Sequence, residues 1–205
     1  MKDMTLINVI LDRSGSMGSI APEAVGMFNR FLDEQRTGPD EAELSLTQFD
    51  DVVEVIYTRK PIKDCPDLIL GETYQPRGMT ALLDAVGITI TRVGNELNAL
   101  PEDERPARVL FVVLTDGHEN QSREYGATII NEMVRHQKEK YNWDFIFLAA
   151  GIDGKAEGAK LGLNASKCAS FDRSSSGLIA SGATMSAYTT AYRGTGDNTM
   201  AVQTP

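Results

Sequence analysis

The chain has 205 residues, 41% of them hydrophobic and 24% charged, enough apolar material for one globular domain whose core needs no disulfides. Its formal charge of −9 argues against non-specific binding to nucleic acid or to an anionic membrane surface, and suits a cation site better. The strongest apolar run, VLFVVL at 109–114, is far short of a bilayer span, no basic segment leads into a cleavable apolar stretch, and Cys65 and Cys168 are the only thiols, so a reduced, cytoplasmic setting is expected.

TLINVIL at 5–11 reads as a buried strand, too short and too β-branched for a helix. Apolar spacing at Ile20, Val25, Phe28, Phe31 and Leu32 predicts a helix over about 19–36, packed on a sheet. ELSLTQF and VVEVIYT follow, separated by Asp50 and Asp51. So tight a connection implies an antiparallel pair, and the two aspartates read as turn residues rather than as a second cation site. Residues 60–79 hold three prolines and two glycines and form a long irregular loop, of a kind that is often functional. TALLDAVGITITRVGNEL then places Leu82, Leu83, Val86, Ile90, Val93 and Leu97 on a helical stripe, with Thr80 as the natural cap.

ARVLFVVLTDG is apolar on both faces, as in the middle of a parallel sheet. A helix over about 124–140 is carried by Ile129, Ile130, Met133 and Val134, and WDFIFLAAG is the next strand. A short helix around 153–162, a weak strand near 167–171 and a helix over about 175–192 follow. Residues 193–205 show no pattern and are expected to be a flexible tail. The alternation predicts a single α/β domain over 1–192: a doubly wound, Rossmann-like three-layer sandwich with a mostly parallel six-stranded sheet and one antiparallel edge strand.

In such a sheet, ligands bind beyond the carboxyl ends of the strands. Three polar segments fall there: DRSGSM after the first strand, GMT before the middle helix, and TDGHEN after VLFVVL. Together they offer the carboxylates of Asp12 and Asp116 and the hydroxyls of Ser14, Ser16 and Thr80. An oxygen-only set suits magnesium, manganese or calcium rather than zinc or copper. Gly15 and Gly18 are expected to turn the backbone sharply, so that the alternating side chains point inward. Singly, each residue has a plainer use, the hydroxyls as helix caps and Asp116-Gly117 as a turn. Asp84 reads as an acceptor behind the ligands or a solvated carboxylate, and Met17 and Met79 as an apolar rim or as core.

With these segments in this order, the chain resembles a von Willebrand factor A domain over roughly residues 4–192. That family's metal-ion-dependent adhesion site reads Asp-x-Ser-x-Ser, then a distant threonine, then a distant aspartate. Here DRSGS supplies Asp12, Ser14 and Ser16, GMT supplies Thr80, and TDG supplies Asp116. The resemblance implies a binding module rather than an enzyme, with Mg2+ (or Mn2+ or Ca2+) held by Ser14, Ser16 and Thr80. Asp12 and Asp116 would act directly or through water, and an acidic side chain of a partner protein would complete the shell. It further implies a partner supplied in trans, for which AAA+ ATPases and other complex subunits of bacterial or phage systems are the precedents. The last helix, 175–192, corresponds to one that shifts in some members, and its Ala, Ser, Thr and Gly content fits either loose packing or close contact.

The enzyme alternative is a hydrolase at the same edge, either metal-dependent or with Ser16 as nucleophile and His118 as base. Against it, the GxSxG elbow is absent and His136 falls on a distant helix, so His118 reads as a loop residue beside the site. Nucleotide binding lacks both GxGxxG after a strand and GxxxxGK[ST].

Overall fold

The computed structural model describes residues 2–38 and 40–203. Its sheet consists of β1 (Lys2–Asp12), β2 (Glu41–Phe49), β3 (Val53–Pro61), β4 (Pro106–Thr115), β5 (Asp144–Ala150) and β6 (Cys168–Phe171), in the spatial order β3-β2-β1-β4-β5-β6. Every neighbouring pair is parallel except β2 and β3, which are antiparallel at the edge. The cause is the short connection over Asp50, Asp51 and Val52, which leaves no room for a crossover.

The pleat divides the core. Ile7, Val9 and Leu11 of β1 enter the cluster shared with α1 (Ala21–Arg36) and α5 (Ser175–Thr195). Leu6 and Ile10 enter the opposite cluster, with α2 (Leu82–Asn98) and α3 (Ala127–Tyr141). Helices thus cover both faces and leave the carboxyl ends of β1 and β4 side by side, Leu11 in register with Leu114. This is the three-layer architecture expected from the strand and helix alternation. Among the described residues no helix is long and apolar enough to cross a membrane.

Three boundaries differ from expectation. The chain after β1 first makes a 3-10 helix, Gly15–Ile20, and α1 starts only at Ala21, with proline in its first two positions. α3 starts at Ala127 rather than near 124, because the amides of Arg123, Glu124 and Tyr125 are already held by the Asp84 carboxylate at 2.8–3.0 Å. α5 continues to Thr195, where Gly196 (φ 67°) closes it in the left-handed conformation. The segment expected to be a tail therefore begins as helix, and Met200 and Val202 pack on the core, with the Val202 amide donating to the Ser166 carbonyl at 2.7 Å. Thr204 and Pro205 lie outside the described residues.

The small residues of α5 serve close contact. A Cβ on Gly182 would stand 2.5 Å from Met27 Cγ of α1, so only glycine admits this approach. Polar groups complete the seam: Gln35 Nε2 donates to Ser186 Oγ at 3.2 Å and to Thr190 Oγ1 at 3.0 Å, and the buried Arg193 donates to the Gln35 carbonyl at 2.8 Å.

Candidate metal centre

Asp12 ends β1 completely buried. Its Oδ1 accepts the Ser14 amide at 2.6 Å and its Oδ2 accepts the Thr115 hydroxyl at 2.5 Å, while Tyr74 donates to its backbone carbonyl at 2.7 Å. These bonds favour the ionised carboxylate, but burial outweighs them and pushes the Asp12 pKa up to about 6. Asp116, one residue past β4, is likewise raised by burial.

The two serines lie in the turn between β1 and α1. Ser14 is at the N-cap of the 3-10 helix, yet its side chain makes no capping bond. Its Oγ instead lies 3.0 Å from Ser16 Oγ, and Ser16 donates to Asp116 Oδ1 at 2.5 Å. The capping role considered for Ser14 from its position is not taken.

Thr80 does not cap α2 either; the N-cap is Ala81, without a side-chain bond. The β4–α3 loop caps the helix from across the chain: the Leu83 amide donates to Glu119 Oε2 at 2.8 Å and the Asp84 amide to Ser122 Oγ at 3.0 Å. Asn120 fixes the Thr80 backbone, accepting its amide at 2.9 Å and donating to its carbonyl at 3.1 Å. The Thr80 hydroxyl is thereby released from capping. A Cβ built on Gly117 would stand 3.0 Å from Thr80 Oγ1 and 3.6 Å from Ser16 Oγ, so the two hydroxyls flank one small gap beside Asp116. All five sequence-selected residues are brought together at this end of the sheet.

The glycine that shapes the site is not the one expected. Neither Gly15 nor Gly18 has positive φ; Gly78 does, at 66°, and a Cβ there would lie 1.8 Å from Asp51 Oδ1. The Gly78 carbonyl accepts the Gly15 amide at 3.1 Å, tying the 60–79 loop to the serine turn. Asp50 holds the same corner. It is buried, its own Oδ1 accepts the Val52 amide at 2.7 Å as a turn residue should, and its Oδ2 accepts the Nε of both Arg13 and Arg77 at 2.9 Å. Asp84 is not solvated; it is an acceptor behind the site, anchoring the β4–α3 loop through three amides. Met17 is core, and Met79 is 47% exposed.

The Ser16–His118 pair of the hydrolase reading is not formed. Ser16 donates to Asp116, and His118 Nδ1 is 2.7 Å from Glu157 Oε1 of α4 (Gly154–Lys160), which Lys160 also holds at 2.8 Å. His136 lies on α3 against Tyr141, away from the site.

Arg173, unforeseen from the sequence, reaches in from the β6–α5 loop: its Nη2 is 2.9 Å from Asp116 Oδ2 and donates to the Ser16 carbonyl. The ion pair is close but lacks hydrogen-bond alignment, so the buried Asp116 Oδ2 has no donor among the described residues. A carboxylate with one oxygen lacking an aligned donor, in a cluster that also holds the Ser14, Ser16 and Thr80 hydroxyls, is a hard-oxygen set of the kind that Mg2+, Mn2+ and Ca2+ take. No group of three or more His, Cys, Asp or Glu side chains able to hold a metal exists among the described residues, so the hydroxyls are indispensable to any such site.

The sequence profile of the von Willebrand factor type A domain matches residues 7–181. The chain belongs to this family. Comparison with curated proteins by sequence returns no match. Among solved structures, proximal thread matrix protein 1 from the mussel byssus, in a form whose MIDAS motif is occupied by zinc, superposes with a TM-score of 0.62 at 16% identity over 91% of this chain and 46% of that one. A von Willebrand factor type A protein from Catenulispora acidiphila gives 0.56 at 14% identity over 90% of this chain and 42% of that one. At such identities the likeness is one of fold, and the chain spans less than half the length of these structures.

Proposed function

We propose that this von Willebrand factor A domain is a divalent-metal-dependent protein-binding module, with Mg2+ as its ion and an acidic side chain of a partner protein as its ligand. The observation that carries the reading is the gathering of Asp12, Ser14, Ser16, Thr80 and Asp116 at one end of the sheet, with one Asp116 oxygen that no aligned donor satisfies. The family membership and the zinc-occupied motif of a structural neighbour support it.

Ser14, Ser16 and Thr80 would hold the ion through neutral oxygens and Asp12 and Asp116 through charge, directly or by water. The ion supplies a charge that five donors, three of them neutral, leave attractive to an incoming carboxylate. The remaining residues prepare the cradle: Thr115 and Tyr74 fix Asp12, Asn120 fixes Thr80, and Gly117 keeps the gap open. The Ser16–His118 pair that a serine hydrolase would use is not formed, His118 being paired with Glu157, which favours the binding reading. The partner acts in trans in this reading, an AAA+ ATPase or another complex subunit met in the cytoplasm, with no role for nucleic acid or membrane.

Affinity capture from the native host tests the proposal, using the wild-type chain with Mg2+, the wild-type chain with EDTA, and Asp12→Ala with Mg2+. A protein retained only in the first arm, and lost again when one of its own Asp or Glu residues is replaced, is the expected result. Equal retention in all three arms would overturn it.

A further inference from the structure

We propose that Arg173 is a built-in competitor of the divalent ion, its guanidinium pairing with Asp116 and having to swing away for Asp116 to serve the metal fully. The inference rests on the metal-binding reading above and adds what sets the affinity of that site.

Three observations carry it. The first is position: Arg173 Nη2 lies 2.9 Å from Asp116 Oδ2, the oxygen that no aligned donor satisfies, and also bonds to the carbonyl of Ser16. One side chain thus engages two of the five residues of the cradle. A divalent ion at Asp116 and a guanidinium at the same carboxylate repel each other, so each weakens the other's hold on it.

The second is that the contact is made to be broken. The Arg173 side chain is 38% exposed, so the displaced guanidinium is solvated without further rearrangement. Its poor alignment forgoes the directional energy of a bidentate Arg–carboxylate pair.

The third is that the backbone carrying Arg173 is fixed, which confines the motion to the side chain. The chain crosses Gly151 (φ 74°) so closely that a Cβ there would stand 2.9 Å from Arg173 Cβ. The Gly151 amide donates to the Phe171 carbonyl at 2.7 Å, and Ser174 caps α5 by accepting the Gly177 amide at 3.2 Å. The backbone of Arg173 is therefore fixed beside the site, and its guanidinium gives the buried Asp116 carboxylate a counter-charge.

The consequence is a site tuned to weaker divalent binding than its donors alone would give. The test is calorimetric titration of Mg2+, and of Mn2+ in parallel, into the wild-type chain, Arg173→Gln, Arg173→Lys, Asp12→Ala and the double variant Asp12→Ala/Arg173→Gln, with metal-free melting as the check on folding. Arg173→Gln is expected to tighten the dissociation constant by about two- to fivefold, the scale of one partly exposed ion pair. Arg173→Lys, which keeps the charge, should stay within about twofold of wild type. Metal binding by Arg173→Gln alone, lost again in the double variant, would support the proposal in its strongest form. Asp12-dependent binding that is unchanged or weaker in Arg173→Gln overturns the competitor role and leaves the metal site standing. Absence of Asp12-dependent binding in every variant overturns the metal reading itself.

Discussion

Mg2+ at about 100 times its dissociation constant should stabilise the domain by about 2.7 kcal/mol, raising its melting temperature by roughly 5–11 °C for a chain of this size. Asp12→Ala and Thr80→Ala should abolish most of that shift, for different reasons. The first removes the buried carboxylate that Ser14 and Thr115 orient, and the second removes a hydroxyl that faces the gap at Gly117 without any capping duty. The shift should also depend on pH, with a sign set by Asp12. Burial raises its folded-state pKa to about 6, above the ordinary carboxylate value, so the folded metal-free domain takes up a proton more readily than the unfolded chain. The stability gained by that protonation is complete below about pH 4 and is lost as pH rises through about 6. A divalent ion needs the carboxylate. Melting curves with and without Mg2+ should therefore converge near pH 5 and separate above pH 6, whereas a separation that grows toward acid would contradict this account of Asp12.

Asp50→Ala should cost about 3 kcal/mol, a drop of roughly 6–12 °C in melting temperature, although Asp50 is outside the ligand set. The 1% exposed carboxylate compensates Arg13, whose side chain is 7% exposed, and its loss leaves that guanidinium buried with the neutral Gln48 Oε1 at 3.4 Å and, as its one carboxylate, Glu54, itself 52% exposed. The same change releases Arg77 and the Val52 amide, so the corner that seats the serine turn loosens, and Mg2+ affinity should fall with stability. Urea denaturation checks the first statement and metal titration the second. A loss below about 1 kcal/mol would mean that the Arg13–Asp50–Arg77 group behaves as a surface ion pair.

What could be read from the sequence, and what could not, follows from the range of each interaction. VLFVVL announces a central strand because burial on both faces requires it, and the alternation Asp12, Ser14, Ser16 announces a shared orientation because it lies within one turn. Caps are usually local, so Thr80 is the reasonable choice for α2, yet the groups that cap it come from Glu119 and Ser122, 36 and 38 residues on. That exchange frees the Thr80 hydroxyl, and no local pattern records it. Gly78 and Gly15 look equivalent in the sequence, but only the first has positive φ, and a Cβ there would strike Asp51, a neighbour that exists once the loops have met. Arg13 and Arg173 carry no signal in the sequence, and their roles emerge when the fold sets them against Asp50 and Asp116. The candidate ligands were legible because three share a short motif and the other two follow strands or precede helices in a recognisable order, and the groups that position and oppose them were not, because their partners are tertiary.

The most direct measurement is anomalous diffraction from crystals of the chain grown with Mn2+, collected at the manganese edge. The account predicts one dominant peak among Ser14, Ser16, Thr80, Asp12 and Asp116, with the Arg173 guanidinium withdrawn from Asp116. Its central claim would be contradicted by crystals equilibrated with saturating Mn2+ in which that position carries no peak and Arg173 remains on Asp116.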